Sequence, residues 1–290
     1  MKYSYGPLTY STTLKTATFG DNVKIIPEGL FQECGELTSV TLPESLTEVK
    51  NYAFRKCAKL ESLSFPASVK KFGNSVFYGC LKLKKIEICD LAAWCNIDFQ
   101  YGESNPLSTY ASLFLNGKEV TDLVIPSTVT EIKQYAFRDC SGLTRISIGN
   151  GIKKIKTQAF LGCNALQTIE VKNTVPPTIS QSTFSNNHYS STSVLVPTGS
   201  KEAYSADQYW TLFNNLSESD FSSVEQKITT PITVIASEGK ITVTGTTGNN
   251  PIRIFDVNGK LVYSGHESSI SMPAGFYIVT LANKQFKVMI

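Results

Sequence analysis

Phe31, Phe54 and Phe77 lie 23 residues apart, and Cys34, Cys57 and Cys80 follow them by three. The same pair returns at Phe137/Cys140 and Phe160/Cys163, again 23 apart. A fixed period of about 20–29 residues points to a solenoid, in which each repeat is one turn laid on the next. No single turn can fold alone. Ordering 23 residues costs roughly 1–2 kcal/mol each, whereas burying five or six side chains returns roughly 1.5–3 kcal/mol each. Stacking must supply the remainder, and folds of this kind present long surfaces more often than reactive clefts.

The repeat reads Phe-x-x-Cys-x-x-Leu-x-x-apolar-x-apolar-Pro. Its first full copy is Phe31, Cys34, Leu37, Val40, Leu42 and Pro43, and its second is Phe54, Cys57, Leu60, Leu63, Phe65 and Pro66. The apolar-x-apolar step predicts a short strand, because alternate residues there face opposite sides. Proline suits the strand end, since it has no N–H for a ladder. The Ala-Phe-x-x-Cys stretch is expected to form a single helical turn with Phe and Cys inward. A partial turn starts near residue 12 with Leu14, Ala17 and Phe19. The step between strand centres is 23 until residue 87 and then 37, which implies a 14-residue insertion within 89–115. Phe184 opens a terminal turn over 184–216 with a last strand at Val194, Val196 and Pro197. The regular pattern holds eight strands, with Leu113 and Leu115 open as a ninth.

Leu37-x-x-Val40-x-Leu42-Pro43 fits a leucine-rich-repeat strand signature, with Phe-x-x-Cys where its asparagine corner would stand. In that form residues 14–216 resemble the BspA-like leucine-rich repeat family of bacterial cell-surface proteins. Val194-Leu-Val-Pro-Thr-Gly-Ser-Lys-Glu-Ala-Tyr204, followed by Tyr209-Trp210 and Phe213, looks like that family's terminal turn. The resemblance implies a surface-exposed or secreted protein associated with adhesion to host proteins and other cells, and it carries over no catalytic residues. An extracellular or cell-surface location would place a signal sequence ahead of residue 1, because Met1-Lys2-Tyr3-Ser4 has no apolar core behind it.

At 290 residues and 41% hydrophobic, the chain has room for two domains. The expected fold class is mainly β with short helical turns: a leucine-rich-repeat solenoid of about eight 23-residue turns, then a small β-sandwich. The expected boundaries are a solenoid at 1–216, a linker at 217–227 and the sandwich at 228–290. In the last of these Ile241/Val243 and Ile252/Ile254 alternate, with turns at Gly245–Asn250 and Asn258-Gly259. Ile254–Val262, Met272–Val279 and Phe286–Ile290 look like the type A C-terminal sorting domains of type IX secretion, and a generic sandwich stays open beside that resemblance. The formal net charge of +3 makes no case for nucleic acid, and no run of 18 apolar residues offers a membrane span. The five repeated cysteines read as a ladder of buried thiols, since equivalent side chains in parallel turns point the same way and a disulfide needs converging Cβ atoms. Cys89 and Cys95 lie outside the ladder, and their pairing stays open.

Catalysis has little to stand on. His188 and His266 are the only histidines, neither lies beside a nucleophile in sequence, and no metal-ligand spacing or phosphate loop occurs. No cofactor is expected. Asp90 and Asp98 could in principle serve glycoside hydrolysis, but read as solvated residues of the insertion. Asp256-Val-Asn-Gly259 reads as a hairpin turn.

The strand face is the candidate binding surface. It is small and polar at Ser39, Thr41, Ser62 and Ser64, and carries Lys85, Glu87, Asp122, Arg145 and Glu170 farther along, with Val124, Ser147 and Thr168 among them. Mixed charge fits a host or bacterial surface protein; simple solvated strand residues are the plain alternative. The insertion supplies a second candidate in Tyr101 and Tyr110, while Trp94 and Phe99 are expected to pack. Lys70, Lys71, Lys82, Lys84 and Lys85, echoed by Lys153, Lys154 and Lys156, offer an edge for an anionic glycan or simply a solvated rim. The chain is expected to be a monomer.

Overall fold

The computed structural model describes residues 8–221, 233–244, 251–281 and 284–290. The chain divides into two compact units, Met1–Phe221 and Ser222–Ile290, and is mostly β with a few short helices.

In the N-terminal unit the apolar-x-apolar steps form strands that pair in parallel across the repeat period. Thr16–Thr18 pairs with Ser39–Thr41, Ser62–Phe65 with Lys85–Ile88, and Arg145–Ile148 with both Asp122–Val124 and Thr168–Val171. Register sets like on like: Leu63 faces Ile86, and Ile146 faces Ile169. A second row of two-residue strands runs through Ile25–Ile26, Glu48–Val49, Lys71–Phe72 and Asp98–Phe99. Where both rows pair, as between the turns of Ser62–Phe65 and Lys85–Ile88, one turn is tied to the next at two places; Ser39–Thr41 and Ser62–Phe65 belong to separate sheets.

Between the two rows lies the Phe-x-x-Cys corner, and it is not the expected helical turn. Two residues per corner take left-handed backbone. One stands two before the phenylalanine (Gly29, Tyr52, Ser75, Tyr135, Gln158) and one two after it (Glu33, Lys56, Gly79, Asp139, Gly162). A left-handed residue stops a helix from propagating and costs roughly 1–2 kcal/mol without glycine. Here it turns an amide along the stack: Tyr52 N–H donates to Asn74 O (2.9 Å), and Lys56 N–H to Tyr78 O (2.7 Å). Phe54 N–H likewise donates to Val76 O at 3.1 Å.

Inside the corner, equivalent rings lie face to face. Phe31–Phe54 and Phe54–Phe77 centroids are 5.3 and 5.7 Å apart, and Phe137–Phe160 and Phe160–Phe184 are 5.3 and 5.5 Å apart. All seven cysteines are thiols, and the five repeated ones are buried. They do more than fill space. Cys57 Sγ donates to Phe31 O (3.1 Å), Cys80 to Phe54 O (3.0 Å) and Cys163 to Phe137 O (3.2 Å), each reaching back 26 residues. Burial raises the Cys163 thiol well above its ordinary pKa and the Cys140 thiol to about 12, so both stay protonated. Cys95 is buried as a thiol and not bridged to Cys89.

The 37-residue step is not one turn with a 14-residue loop. Lys85 pairs with Ser112 and Lys71 with Asp98, both 27 residues on, so 89–115 forms one lengthened turn. A hairpin then returns at Lys118–Glu119, antiparallel to Ser112–Leu115, before Asp122. Leu113 and Leu115 thus supply a ninth strand. This turn has no Phe-x-x-Cys corner to offer the next one. Trp94 Nε1 donates to Ala136 O (2.8 Å), and Asn105 Nδ2 donates to Tyr135 O (2.7 Å) and Ala136 O (3.1 Å). These side chains take over the seat of the missing amides. Trp94 and Phe99 pack as expected, with Phe99 stacked on Phe72 at 5.4 Å.

At the far end, Asn215–Ser219 adds a tenth strand to this row, parallel to Ser193–Pro197. Its last three residues fall in the stretch expected to be linker. Ladder pairing needs only backbone groups, so polar side chains did not prevent it. Residues 222–227 of that linker lie outside the described residues, as do Met1–Ser4 and the expected turn at Gly245–Asn250.

The C-terminal unit has two antiparallel sheets. Lys240–Thr244 pairs with Thr233–Ser237 and Ser269–Ser271, while Ile252–Asp256 and Phe276–Leu281 form the centre of a four-stranded sheet edged by Leu261–Gly265 and Lys284–Met289. Ile241, Val243, Ile252, Ile254, Val279 and Leu281 form its core. Asp256 closes the expected hairpin, its Oδ1 accepting from Asn258 N and Lys260 N at 2.9 Å.

Candidate functional site

The parallel register sets outward side chains in rows, one residue per strand, and decides which charges meet. Arg145 stands between Asp122 on one neighbouring strand and Thr168 on the other, with Glu170 two residues farther along. Its Nη1 is 2.8 Å from Asp122 Oδ2, and its Nη2 binds Glu170 Oε1. Glu170 and then Asp122 raise the guanidinium above its ordinary pKa. Lys85 Nζ is 3.0 Å from Glu87 Oε2 and 4.6 Å from the centre of the Phe114 ring. Glu87 Oε1 accepts the Gly117 amide at 2.7 Å, holding the hairpin against the strand. The five charged candidates therefore form two self-paired groups, Lys85/Glu87 in the four-stranded sheet and Asp122/Arg145/Glu170 in the five-stranded one. Exposed pairs of this kind contribute roughly 0–1 kcal/mol to stability. Ser147, read as outward-facing, is buried.

Tyr101 and Tyr110 bracket two short 3-10 turns, Gly102–Ser104 and Pro106–Thr109, in the lengthened turn. The two residues are 46% and 76% exposed, and Tyr110 is left-handed (φ 63°). They stand beside the charged rows' scaffold, not in those rows. The lysine edge is partly neutralised: Lys71 Nζ is 3.4 Å from Glu48, while Lys133 and Lys156 share Glu131 at 2.9 and 3.1 Å.

Two of the residues weighed for chemistry, Asp90 and His188, have structural work. Asp90 caps the helix Leu91–Cys95, its Oδ1 accepting from Ala93 N at 3.0 Å. His188 is buried in the terminal turn, where Nδ1 accepts the Ser185 amide (3.2 Å) and Nε2–H donates to Cys163 O (3.0 Å). Among the described residues no group of three or more His, Cys, Asp or Glu is placed to hold a metal ion, and no helix is long and apolar enough to cross a membrane. Sequence reasoning missed Asn105 and the thiol donors, which no local motif announces.

His188 supplies a pH test. Burial lowers its pKa below the ordinary 6.5, so the unfolded chain takes up the proton first. Its stabilisation is complete above that value and is lost as pH falls. Protonation would also turn Nδ1 from acceptor to donor, against the Ser185 amide. Denaturation midpoints taken from about pH 7.5 to about pH 5.5 are expected to drop more for the native chain than for His188→Gln. Parallel curves would remove His188 as a source of acid sensitivity.

Residues 8–97 and 108–230 match the model of the BspA type leucine rich repeat region, in six copies. The gap between the two matched stretches falls in the lengthened turn. Among solved structures, the chain is similar to a leucine rich cell surface protein from Faecalibacterium prausnitzii, at 20% identity over 73% of this chain and 62% of that one (TM-score 0.36). It is also similar to the leucine rich repeat protein of T. pallidum, at 21% identity over 65% of this chain and 64% of that one (TM-score 0.30). A leucine-rich repeat protein from Bacteroides ovatus matches at 23% identity over 55% of this chain and 49% of that one (TM-score 0.35). The chain spans less than two thirds of each of these. No curated protein matches it.

Proposed function

The chain belongs to the BspA-type leucine-rich repeat family, and on that premise we propose that it is a non-enzymatic, surface-exposed or secreted binding protein. Its N-terminal unit is read as a solenoid that takes a protein partner on the long row of strands. The observation that carries this reading is the row itself: ten short strands set outward polar and charged side chains at a step of 23 residues in the regular turns, changed to 27 and 10 at the lengthened turn and to 25 and 22 at the terminal turn. A partner meeting such a face is recognised by charge pattern and shape. The partner is taken to be a host or bacterial surface protein, and the chain to act as a monomer. The C-terminal unit is read as a small β-sandwich that resembles type A sorting domains of type IX secretion, which agrees with an extracellular or cell-surface location.

A second reading, a structural scaffold without a specific ligand, draws on the self-pairing of Arg145 with Asp122 and Glu170. A binding screen separates the two. Purified chain is tested against extracellular-matrix proteins, mucins and bacterial surface glycans at two salt concentrations. The binding reading expects a saturable hit that weakens with salt and is lost in Lys85→Glu or Arg145→Glu. Silence across the panel, or a hit indifferent to both reversals, sinks the strand-face reading and favours the scaffold.

A further inference from the structure

Equivalent positions in the regular turns act as internal controls for one another, and the turn after Phe77 departs from the rest where the fold makes no demand. Four residues past the repeated phenylalanine stand Gly35, Ala58, Ser141 and Asn164, but in this turn Leu81, 76% exposed. In the next row Glu36 pairs with Lys59 at 2.7 Å, and the row continues to Lys82, which enters no ion pair among the described residues. Seven past the phenylalanine, Thr38 and Thr144 donate hydroxyls to carbonyls 23 residues earlier, at 3.0 and 2.9 Å. Glu61 and Gln167 hold that position in two other turns, and in this turn it is held by Lys84. Its backbone amide keeps the link between turns by donating to Glu61 O (2.9 Å), while its ammonium makes no ion pair among the described residues. Together Leu81, Lys82, Lys84 and Lys85 line a shallow surface hollow with Glu61 and Ser62.

We propose that this hollow docks an acidic segment of a protein partner that also carries an apolar side chain. Leu81 covers the apolar group, and Lys82 and Lys84 face the carboxylates. Lys85, held by Glu87 and Phe114, forms a wall. Glu61 sets direction, because it repels a carboxylate at its end of the hollow. Charge complementarity alone would equally suit a sulfated glycan, but a glycan offers nothing for an exposed leucine to cover. The proposal rests on the N-terminal unit being a binding module; the hollow shares Ser62 and Lys85 with the strand face, and Leu81, Lys82 and Lys84 are the residues that tell the two apart.

The test uses the whole chain and a labelled peptide of Glu-Glu-Leu repeats, with Glu-Glu-Ser repeats and a heparin-derived oligosaccharide as comparisons. The Glu-Glu-Leu peptide is expected to bind saturably and to weaken with salt. Lys82→Glu/Lys84→Glu should reduce affinity about tenfold or more, and Leu81→Ser several-fold. Lys153→Glu/Lys154→Glu should change nothing. No saturable binding, or an equal loss in the Lys153/Lys154 variant, overturns the proposal. So does oligosaccharide binding that ignores Leu81→Ser, which would assign the hollow to an anionic glycan. Sensitivity to Arg145→Glu alone would overturn it as well, while leaving the strand-face reading in place.

Discussion

Phe54→Ala is expected to lower the stability of the N-terminal unit by about 3–5 kcal/mol, the range for emptying a fully buried aromatic site. The ring is wholly buried, with Phe31 on one face at 5.3 Å and Phe77 on the other at 5.7 Å. Neither neighbour can close the gap, because each is fixed by its own corner: Phe31 N–H is tied to Ala53 O at 2.8 Å, and Cys80 Sγ to Phe54 O at 3.0 Å. A core that cannot collapse keeps its cavity, and that puts the cost toward the upper end. Chemical denaturation followed by tryptophan fluorescence and by circular dichroism would measure it. A loss below about 1 kcal/mol would falsify the stacked-ring account of the corner. Phe54→Leu should recover part of the loss, since it refills volume without the ring contacts.

Asn105→Leu is the second large effect, at about 2–3 kcal/mol, although it removes no hydrophobic surface. Asn105 is fully buried, and each end of its amide is used. Oδ1 accepts the Leu107 amide at 2.9 Å, and Nδ2 serves Tyr135 O and Ala136 O. Leucine leaves the Leu107 amide buried without its acceptor and removes the cross-turn bond to Tyr135 O, while Trp94 still serves Ala136 O and the Arg138 amide still serves Tyr135 O. Asn105→Asp should be at least as damaging, because a carboxylate oxygen would then face two carbonyls. Since stability in stacked repeats is a sum over neighbouring turns, weakening this junction should also separate the unfolding of the turns before it from that of the turns after it. Tyr110→Ala, on the exposed rim of the same segment, is the control and should cost under about 0.5 kcal/mol. Equal effects at Asn105 and Tyr110 would mean that the amide does not join the two halves.

What the sequence disclosed follows from what repetition can encode. Phe31, Cys34 and Leu37 announced the corner and the strand after it because five copies repeat them, and the break in the repeat marked Trp94 and Phe99 as aromatic residues that seal the gap between turns. Asn105 was invisible for the converse reason: it serves one irregular junction, and nothing elsewhere in the chain resembles it. The division of the 37-residue step into a 27-residue turn and a hairpin depends on which backbone groups pair, and polar residues such as Ser112 and Lys118 do not advertise that. Asn215–Ser219 was missed because a ladder's last strand needs no apolar partner beyond Leu216, which is partly buried. The charged candidates were located correctly as strand residues. Their mutual pairing needed the register, which sets Arg145 between Asp122 and Glu170.

The hydrogen bonds of the regular corners span 20-odd residues in sequence but only one turn in space: Cys80 reaches Phe54, Cys57 reaches Phe31, and Tyr52 reaches Asn74. No bond in that set depends on how many turns lie beyond its own neighbour. The number of copies is therefore free to drift. A gene slipping by one repeat would produce a longer or shorter array with every corner still satisfied. The lengthened turn at 89–115 is different, because the side chains of Trp94 and Asn105, present once, make its link to the next corner. It divides the array into two stretches that can each gain or lose copies, and whatever is recognised near that divide keeps its surroundings while the flanks change length.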